Sequence, residues 1–309
     1  MTKILITGSS GFVGKNILSS KEFTNNFQIY SPSSKDLDLL DSSNVSEYFK
    51  RVKPDIVIHC AGKVGGIMKN INSQYEFLYK NSVMILNLIN TCIAVDIRKF
   101  INISSSCIYP KSFNRPISEN DLLTGKIEPT NEGYALAKII GLKLTEYISN
   151  NLEGYKTIIP CNLYGPYDNF DENDSHMIPA VINKIDQAKI LNLKSVKMWG
   201  SGNVKREFMF IEDFVDFLLF YLKNFDKVPQ KMNVGTGKDY SIKEYYNTIS
   251  KIIGFKGSIE PDHSKPEGMT RKLVDITYQN KLGWSPFYNL EQGILETYKF
   301  FKLKNEQKI

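Results

Sequence analysis

The sequence predicts an α/β fold with a doubly wound parallel sheet and a smaller C-terminal α/β lobe. Short runs rich in Ile, Val and Phe alternate with segments of helical period through the first half of the 309 residues. This alternation is typical of parallel sheets that carry helices on both faces. A glycine-rich turn lies between the first apolar run and the first helical segment. Past Tyr164-Gly165-Pro166 the alternation ends at a polar loop, Tyr167–Ser175, and shorter elements follow.

In the first half of the sequence, strands and helices are predicted from the spacing of apolar residues. Apolar runs predict strands at Lys3–Thr7, Phe27–Tyr30, Asp55–His59, Lys99–Ser104 and Lys156–Pro160. Apolar residues at helical spacing predict helices at Gly11–Ser20, Val45–Arg51, Tyr75–Val95 and Tyr134–Asn150. Because parallel neighbours in one sheet are joined by right-handed crossovers, each helix should pack back onto the sheet.

The second half of the sequence predicts two domains that are not separated at a single point in the chain. A helix at Glu212–Lys223 and a strand at Met232–Val234 still have the pattern of an α/β unit, and a helix is predicted at Leu290–Leu303. We therefore expect residues 1–165 to form a first domain to which residues of about 206–240 return. Residues 166–309 should form mainly the second lobe.

Composition and charge exclude several classes of protein. Apolar residues make up 42% and charged residues 23% of the chain, which is ordinary for a globular protein and unlike a disordered one. The net charge of +6 is dispersed along the chain, so we expect no nucleic-acid partner. No apolar run reaches the roughly 18 residues of a membrane span. The N-terminus lacks a signal-peptide pattern, and we expect a soluble, cytoplasmic protein.

The four cysteines, Cys60, Cys92, Cys107 and Cys161, lie far apart and include no CxxC pair. Their spacing predicts neither a disulfide framework nor a zinc site. We expect reduced thiols and no bound metal, with buried cysteines acting as small apolar residues.

A glycine turn, Thr7-Gly8-Ser9-Ser10-Gly11-Phe12-Val13-Gly14, joins the first predicted strand to the first helix. Glycines at this place allow a tight turn, bring the backbone close to a pyrophosphate and let the helix pack against the sheet. The helix N-terminus attracts the anion. The turn therefore predicts a Rossmann-type dinucleotide-binding domain.

The stretch after the second strand bears on the choice between NAD and NADP, because an acidic side chain there would accept from the ribose hydroxyls. In this chain it reads Tyr30-Ser31-Pro32-Ser33-Ser34-Lys35, with three serines and a lysine but no carboxylate. It favours NADPH, with NADH as the alternative. We expect the cofactor to contact Gly8, Ser10, Gly11, Phe12, Val13, Gly14, Ser34, Lys35, Asp38, Leu39, Ala61, Lys63, Tyr134 and Lys138.

Tyr134 and Lys138 lie four residues apart, which places them on one face of a helix. An ammonium group near a phenol stabilises the phenolate, so the pair suits proton exchange at neutral pH. Ser105, at the end of the fourth predicted strand, can hold a substrate oxygen. A YxxxK pattern alone is common on helix surfaces. Together with the glycine turn and the upstream serine, it indicates a dehydrogenase or reductase.

Further segments occur in one order along nearly the whole chain. They are Lys63-Val64-Gly65-Gly66-Ile67, Ser105-Ser106-Cys107-Ile108-Tyr109-Pro110-Lys111, Glu128-Pro129-Thr130-Asn131-Glu132, Asn162-Leu163-Tyr164-Gly165-Pro166, Trp199-Gly200-Ser201-Gly202, Arg206-Glu207-Phe208 and Arg271-Lys272-Leu273. On these segments the chain resembles the GDP-L-fucose synthase family of the extended short-chain dehydrogenase/reductases. Members of that family are 3,5-epimerase/4-reductases that act on GDP-4-keto-6-deoxymannose.

The resemblance implies C4 reduction of a GDP-linked keto sugar with epimerisation at C3 and C5. It implies that Ser105, Tyr134 and Lys138 form the reductase triad, and that Cys107 and His176 are the epimerase base and acid. A ketone acidifies the protons on the neighbouring carbons, so one polarised carbonyl serves both steps. The residues implied to surround the nucleotide and sugar are Asn162, Lys184, Trp199, Arg206 and Arg271.

The resemblance also implies a homodimer formed through the long helices Tyr75–Val95 and Tyr134–Asn150. The chain departs from the family pattern at Gly133, where many relatives have proline, and at Phe210, where many have histidine. Both departures are consistent with a different sugar, a deoxyhexose or a heptose. Ser10 and Ser34 stand where arginines are frequent in relatives, which leaves the choice of NADPH open.

Several alternatives stay open at this point. A C4 reductase without epimerase activity would keep the triad and retain Cys107 and His176 without using them. A 4-epimerase that recycles bound NAD would show no net cofactor turnover. A non-catalytic dinucleotide-binding module on the same fold would be expected to have lost the triad, which is intact here. A 4,6-dehydratase is disfavoured because Ser106-Cys107 stands where an acidic pair is needed.

Overall fold

Buried runs of branched apolar residues form the central strands, because such side chains suit a sheet that is covered on both faces. The computed structural model describes residues 1–111, 113–171, 174–265 and 268–306. The strands are β1 (Lys3–Thr7), β2 (Gln28–Tyr30), β3 (Ile56–His59), β4 (Lys99–Ile103), β5 (Tyr155–Pro160), β6 (Asn162–Tyr164), β7 (Ser195–Trp199), β8 (Lys205–Arg206), β9 (Phe208–Phe210), β10 (Lys231–Val234), β11 (Tyr240–Ser241), β12 (Ser258–Asp262) and β13 (Arg271–Lys272).

Several helices begin at side chains that cap the first turn. Asp41 accepts from the backbone N–H groups of the first turn of its helix, and Ser241 and Glu244 form a reciprocal capping box. The helices are α1 (Phe12–Ser19), α2 (Lys21–Asn26), α3 (Ser42–Val52), α4 (Ile67–Asn72), α5 (Gln74–Ala94), α6 (Glu132–Ser149), α7 (Met177–Ile190), α8 (Ile211–Lys223), α9 (Ile242–Ile253), α10 (Thr277–Leu282) and α11 (Leu290–Glu306).

The central sheet has parallel strands in the order β10-β5-β4-β3-β1-β2. β1 pairs with β2 on one side and with β3 on the other, so the order of the strands reverses at the carboxyl end of β1. Open α/β sheets bind ligands in the crevice at such a switch point. The predicted doubly wound parallel sheet is confirmed.

The chain beyond β6 contributes both to the central sheet and to smaller sheets. β10 pairs with β5 from Lys231 beside Thr157 to Val234 beside Pro160, so this strand returns to the central sheet. β12 pairs with β7, and β11, β8 and β13 form a three-stranded sheet. The domain boundary at residue 165 stays a prediction. Within the described ranges, no helix has the length and apolar composition that crossing a bilayer requires.

The structure contains elements that the hydrophobic pattern did not predict. The helix predicted at Gly11–Ser20 ends at Ser19, because Ser20 has an extended backbone and its side chain accepts from Phe23 N at the start of α2. The short helix α4 and the two-residue strands β8, β11 and β13 are also additional. The other predicted elements lie within three residues of the observed ones.

Candidate active site

The glycine turn lies at the carboxyl end of β1, beside the exit of β3. Gly8 has φ of 73° and a Cβ there would lie 2.6 Å from the backbone of Ala61. A Cβ on Gly14 would lie 2.4 Å from the Gly8 carbonyl oxygen. Since Gly11 supplies no side-chain cap, the first N–H groups of α1 remain available to an anion. This cradle fits the pyrophosphate of a dinucleotide.

The loop after β2 is attached to the glycine turn, because Ser9 Oγ donates to a carbonyl of the loop at 2.9 Å. Ser34 and Lys35 are exposed. The first carboxylate after β2, Asp36, accepts from Ser33 Oγ at 2.6 Å. That hydrogen bond lowers the pKa of Asp36. The loop therefore presents hydroxyl groups and an ammonium group, while its carboxylate is bound to Ser33.

The remaining residues predicted to contact the cofactor differ in exposure. Ser10 is exposed and Phe12 and Val13 are half-buried at the start of α1, while Asp38 is exposed and Leu39 is buried. The Leu39 carbonyl accepts from Asn87 Nδ2 of α5 at 2.9 Å. Lys63, on the loop after β3, forms an ion pair with Glu76 at 2.6 Å. These contacts attach both loops at the switch point to α5.

Ser105 and Cys107 lie just past the end of β4. Ser105 begins a short 3-10 turn, and its Oγ accepts from Cys107 N at 3.4 Å. Cys107 is buried. Burial raises the pKa of the Cys107 thiol, and the positive charges of Lys272 and Lys138 together with the Ser105 hydrogen bond oppose that increase. Burial prevails, so the thiol form is favoured, while the two ammonium groups and Ser105 lessen the cost of forming the thiolate.

Tyr134 and Lys138 occupy the first turns of α6, as their spacing predicts. Lys138 Nζ donates to the Ile103 carbonyl at the end of β4 at 2.9 Å, and it lies 5.7 Å from the centroid of the Tyr134 ring. The Tyr134 ring packs edge-on against Phe77 of α5. Burial raises the pKa of Tyr134 and lowers the pKa of Lys138. The half-buried Tyr134 phenol is therefore protonated at neutral pH.

The loop that leaves β3 connects this group to the glycine turn. Ala61 lies against Gly8, and a Cβ on the next residue, Gly62, would lie 3.8 Å from Lys138 Nζ. Cys107 interacts electrostatically with both Tyr134 and Lys138. Ser105, Cys107, Tyr134 and Lys138 therefore form one cluster beside the dinucleotide cradle.

His176 lies immediately before α7, at the end of the polar loop that follows β6. Its side chain is half exposed, and Nδ1 lies 4.0 Å from Asp168 Oδ1. Partial desolvation opposes protonation of His176, but the nearby carboxylate of Asp168, with the charge of Asp174, outweighs it and raises the pKa of His176. Asp174 accepts from Gly66 N at 3.1 Å. The segment that carries His176 therefore contacts the loop after β3.

The residues predicted around the nucleotide lie on the C-terminal half of the chain. Asn162 Nδ2 donates to the Glu207 carbonyl at 2.9 Å, and Arg206 Nη1 donates to the Met269 carbonyl at 2.6 Å. Trp199 is half exposed, with Lys265 Nζ 5.4 Å from its ring. Two further residues have other partners in the structure: Lys184 Nζ donates to the Lys197 carbonyl, and Arg271 is paired with Asp239.

Comparisons with known proteins determine the family. The model of the NAD dependent epimerase/dehydratase family matches residues 4–235. A GDP-L-colitose synthase from Yersinia pseudotuberculosis is 50% identical over 301 residues, which cover 97% of each chain. The GDP-L-fucose synthase of Escherichia coli K12 is 38% identical over 315 residues and covers 99% of this chain and 98% of its own.

The chain belongs to the GDP-L-fucose synthase family. Solved structures of similar architecture include a GDP-6-OMe-4-keto-L-xylo-heptose reductase from Campylobacter jejuni, 27% identical with a TM-score of 0.91 over 98% of each chain. A GDP-mannoheptose C4 reductase from the same organism with NADP bound is 29% identical, with a TM-score of 0.87 over 97% of this chain and 98% of that one. The resemblance seen in the motifs is confirmed, and this family member is an NAD(P)-dependent enzyme.

Two departures from the family pattern have a packing explanation. Gly133 N donates to Gln74 Oε1 at 2.6 Å, and a Cβ on Gly133 would lie 2.3 Å from the Gln74 carbonyl oxygen. A proline would lose the donor and overlap Gln74. Phe210 is buried, with its ring centroid 5.7 Å from that of Tyr164 and 4.6 Å from that of Tyr288. Neither difference requires a change of sugar.

Lys272 is a residue of this family member that the sequence reasoning did not select. It lies on β13 next to Arg206 on β8. Burial and the charge of Arg206 lower its pKa, while the nearby thiols of Cys107 and Cys161 raise it. Two cations held side by side near a buried thiol form a place for an anion. The only signal in the sequence was its position within the Arg271-Lys272-Leu273 segment.

Proposed function

We propose that this protein catalyses NADPH-dependent C4 reduction of a GDP-linked 4-keto sugar, with epimerisation beside the ketone in the same site. The observation that carries the proposal is the cluster of Ser105, Tyr134 and Lys138 at the end of β4, next to the glycine cradle. Relatives named GDP-L-fucose synthase and GDP-L-colitose synthase support it, as do similar structures of GDP-heptose reductases. A cytoplasmic location stays a prediction.

The reductive chemistry follows from the protonation states of this cluster. A bound nicotinamide dinucleotide supplies a hydride to the carbonyl carbon. Tyr134 is protonated because desolvation raises the pKa of its phenol, so it can donate a proton to the carbonyl oxygen as negative charge develops there. Lys138, 5.7 Å from the ring, then stabilises the phenolate, and the Ser105 hydroxyl holds the oxygen in place.

Epimerisation would use the groups on either side of the same ketone. As a thiolate, Cys107 removes a proton from the carbon next to the carbonyl, and Ser105 and Tyr134 hold the resulting enolate oxygen. His176 returns a proton to the opposite face. One proton leaves the carbon and one arrives, so the step needs no reductant. The charges of Lys272 and Lys138 favour the thiolate.

The diphosphate of the nucleotide would lie against Arg206 and Lys272. Both side chains are half-buried; burial lowers the pKa of each, and the charge of Arg206 lowers the pKa of Lys272 further. An anion between them removes this penalty, which provides a binding energy that a neutral sugar does not supply. Asn162 and the half-exposed Trp199 supply a hydrogen-bonding group and an apolar surface on the same lobe.

A panel of keto sugars tests the proposal. We expect oxidation of one NADPH for each sugar reduced when the enzyme meets a GDP-4-keto-6-deoxyhexose, a GDP-4-keto-3,6-dideoxyhexose or a GDP-4-ketoheptose. NADH should have the higher KM, because Ser34 and Lys35 are exposed while Asp36 is bound to Ser33. Nicotinamide absorbance and NMR of the products are the measurements. Interconversion of sugars without cofactor consumption would instead indicate a 4-epimerase.

Cys107→Ser separates the two halves of the proposal. Removing the base should lower deuterium uptake beside the ketone by about 10²-fold or more, measured by NMR in D2O without cofactor. Reduction of a substrate that needs no epimerisation should continue. Cys92→Ser, at a buried position on α5, is the matched control and should retain exchange. Unchanged uptake in C107S would favour a C4 reductase that does not use this thiol as a base.

We propose that two copies pair through α5 and α6. Exposed apolar side chains recur at helical spacing on α5, where Tyr75, Tyr79, Leu86 and Ile93 are 77%, 52%, 39% and 46% exposed. Leu136 and Tyr147 extend this face onto the adjacent α6. An apolar stripe on two packed helices is the pattern of a helical interface.

Leu86→Glu should disrupt this dimer, because it places a carboxylate in the middle of the apolar face. We expect light scattering after gel filtration to report the mass of two chains for the wild type and of one chain for L86E. Ile190→Glu, a 58% exposed position at the end of α7, is the control and should leave the mass unchanged. A monomeric wild type would contradict the proposal.

A further inference from the structure

Asp168 is a buried carboxylate directly beside His176. It is 4% exposed, and its Oδ1 accepts from Asn169 N at 2.8 Å. Its Oδ2 has no hydrogen-bond partner within the described ranges. His176 faces this carboxylate, with Nδ1 4.0 Å from Oδ1. A buried carboxylate is unfavourable unless a donor or a cation faces it, and the imidazole is the group placed to do so.

The loop that carries Asp168 is held at both ends. Asp168 N donates to the Gly165 carbonyl at 3.3 Å, across Tyr167, which has φ of 64°. On the other side, Phe170 is buried against Phe301 with ring centroids 5.0 Å apart. These contacts hold the backbone on either side of the carboxylate in place.

Two amide side chains tie this loop to the segment that carries the imidazole. Asn183 Nδ2 of α7 donates to the Phe170 carbonyl at 3.0 Å. Asn169 Nδ2 donates to the Asp174 carbonyl at 2.9 Å, two residues before His176. These bonds tie the backbone of the Asp168 loop to α7 and to the segment that precedes His176.

We propose that Asp168 is the positioning residue for His176: it keeps a proton on Nδ1, so that Nε2 is the nitrogen that exchanges a proton with the sugar. The inference rests on the proposed function for the role of His176. In the epimerisation step, His176 Nε2–H gives its proton to the carbon, and Nδ1–H continues to face the carboxylate. An imidazole held by a carboxylate keeps one tautomer and one ring orientation.

The charged groups around His176 favour Asp168 over its neighbours for this role. Asp174 also faces the imidazole, but it is paired with Lys69 Nζ at 2.7 Å and accepts from Gly66 N. Asp168 has no Lys or Arg partner among the described residues, and it is the larger cause of the raised pKa of His176. A carboxylate without another cation acts on the imidazole with its full charge.

Imidazole NMR tests the proposal without any assay of activity. The chain has three histidines, so His176→Asn assigns the signal by its loss. In the wild type we expect Nδ1–H as the main tautomer of neutral His176. In Asp168→Asn the titration midpoint should fall by about one pH unit, because an opposite charge at about 4 Å is removed. The exposed His263 provides the reference signal.

Two further variants make the result specific. Asp174→Asn should move the midpoint less, since that carboxylate is already neutralised by Lys69. Asp168→Glu should restore much of the wild-type midpoint. If D168N fails to fold, the wild-type tautomer still decides, because a predominance of Nε2–H would overturn the inference. An unchanged midpoint in folded D168N would overturn it as well.

The pH profile of deuterium exchange then separates this inference from the proposed function. D168N should move the limb of the profile that reports His176 by the same shift as the NMR midpoint, while reduction of a substrate that needs no epimerisation stays unchanged. If D168N shifts the midpoint but the wild type shows no deuterium exchange, the proposed epimerase activity is wrong, while the Asp168–His176 interaction is supported. A shifted midpoint with an unshifted profile would exclude the positioning role.

Discussion

Tyr134→Phe is expected to lower kcat for C4 reduction by about 10²–10⁴-fold, because it removes the proton donor and leaves the rest of the site in place. The ring packs edge-on against Phe77, and phenylalanine keeps that contact. The dissociation constant for NADPH should therefore stay close to that of the wild type. Stopped-flow measurement of NADPH oxidation, with fluorescence titration for binding, gives both quantities.

Tyr147→Phe is the matched control for that substitution. Tyr147 lies on the same helix, α6, and is 64% exposed, so loss of its hydroxyl should leave kcat unchanged. If Y134F kept a kcat within tenfold of the wild type while binding NADPH normally, Tyr134 would not be the proton donor. The proposed triad would then be wrong at its central residue.

Glu207→Gln is expected to change how stability depends on pH. Glu207 is 1% exposed, and its carboxylate accepts from the backbone N–H groups of Val274, Thr236 and Gly237 at 2.9, 2.7 and 2.8 Å. Burial raises its pKa from 4.5 to about 7, although these hydrogen bonds oppose the increase. A carboxyl group that titrates near neutrality inside the protein links folding to pH.

The sign follows from the direction of that change. Because the pKa of Glu207 is higher in the folded state, the group contributes stability below about pH 4.5, and this contribution is lost as the pH rises through about 7. A difference of this size corresponds to about 3 kcal/mol. The free energy of unfolding of the wild type, minus that of E207Q, should therefore decrease by about 3 kcal/mol between about pH 4 and about pH 8.

Urea unfolding at a series of pH values measures this difference. Glu47→Gln, at an exposed position on α3, should show a difference from the wild type that does not change with pH. A pH-independent difference for E207Q would contradict the raised pKa.

Local patterns were sufficient to predict the central sheet and part of the site. The strands have buried apolar runs, and the glycine turn and the Tyr134–Lys138 spacing depend on residues a few positions apart. Steric requirements such as the 2.4 Å approach of a Cβ on Gly14 to the Gly8 carbonyl act within the same turn. For that reason the sequence alone places the family motifs on the correct elements.

The choice between Arg271 and Lys272 shows where sequence reasoning ends. The two residues are adjacent on β13, and successive side chains of a strand point to opposite faces. Arg271 pairs with Asp239, whereas Lys272 lies near Cys107 and Arg206. The sequence motif alone does not indicate which of the two side chains lies on the face of β13 that is directed toward the site. A role for Arg271 toward the substrate stays a prediction.

Other parts of the site depend on contacts between distant segments. Asp168 and Glu207 are ordinary acidic residues in the sequence, and their burial results from the packing of loops on α7 and β13. The glycine before Tyr134 could be noted as a departure, but its reason is Gln74, 59 positions earlier. Hydrophobic periods do not encode such pairings. The two-residue strands of the small sheet were missed because they are too short to show a period.

The pairing of β10 with β5 has a consequence for how the chain is made. During synthesis the β5 edge emerges long before its partner, because β10 ends at Val234 and translation proceeds from the N-terminus. Until then, the nascent chain carries an open row of backbone donors and acceptors, which invites pairing with other chains. The central sheet therefore cannot be completed until the chain has been synthesised through Val234.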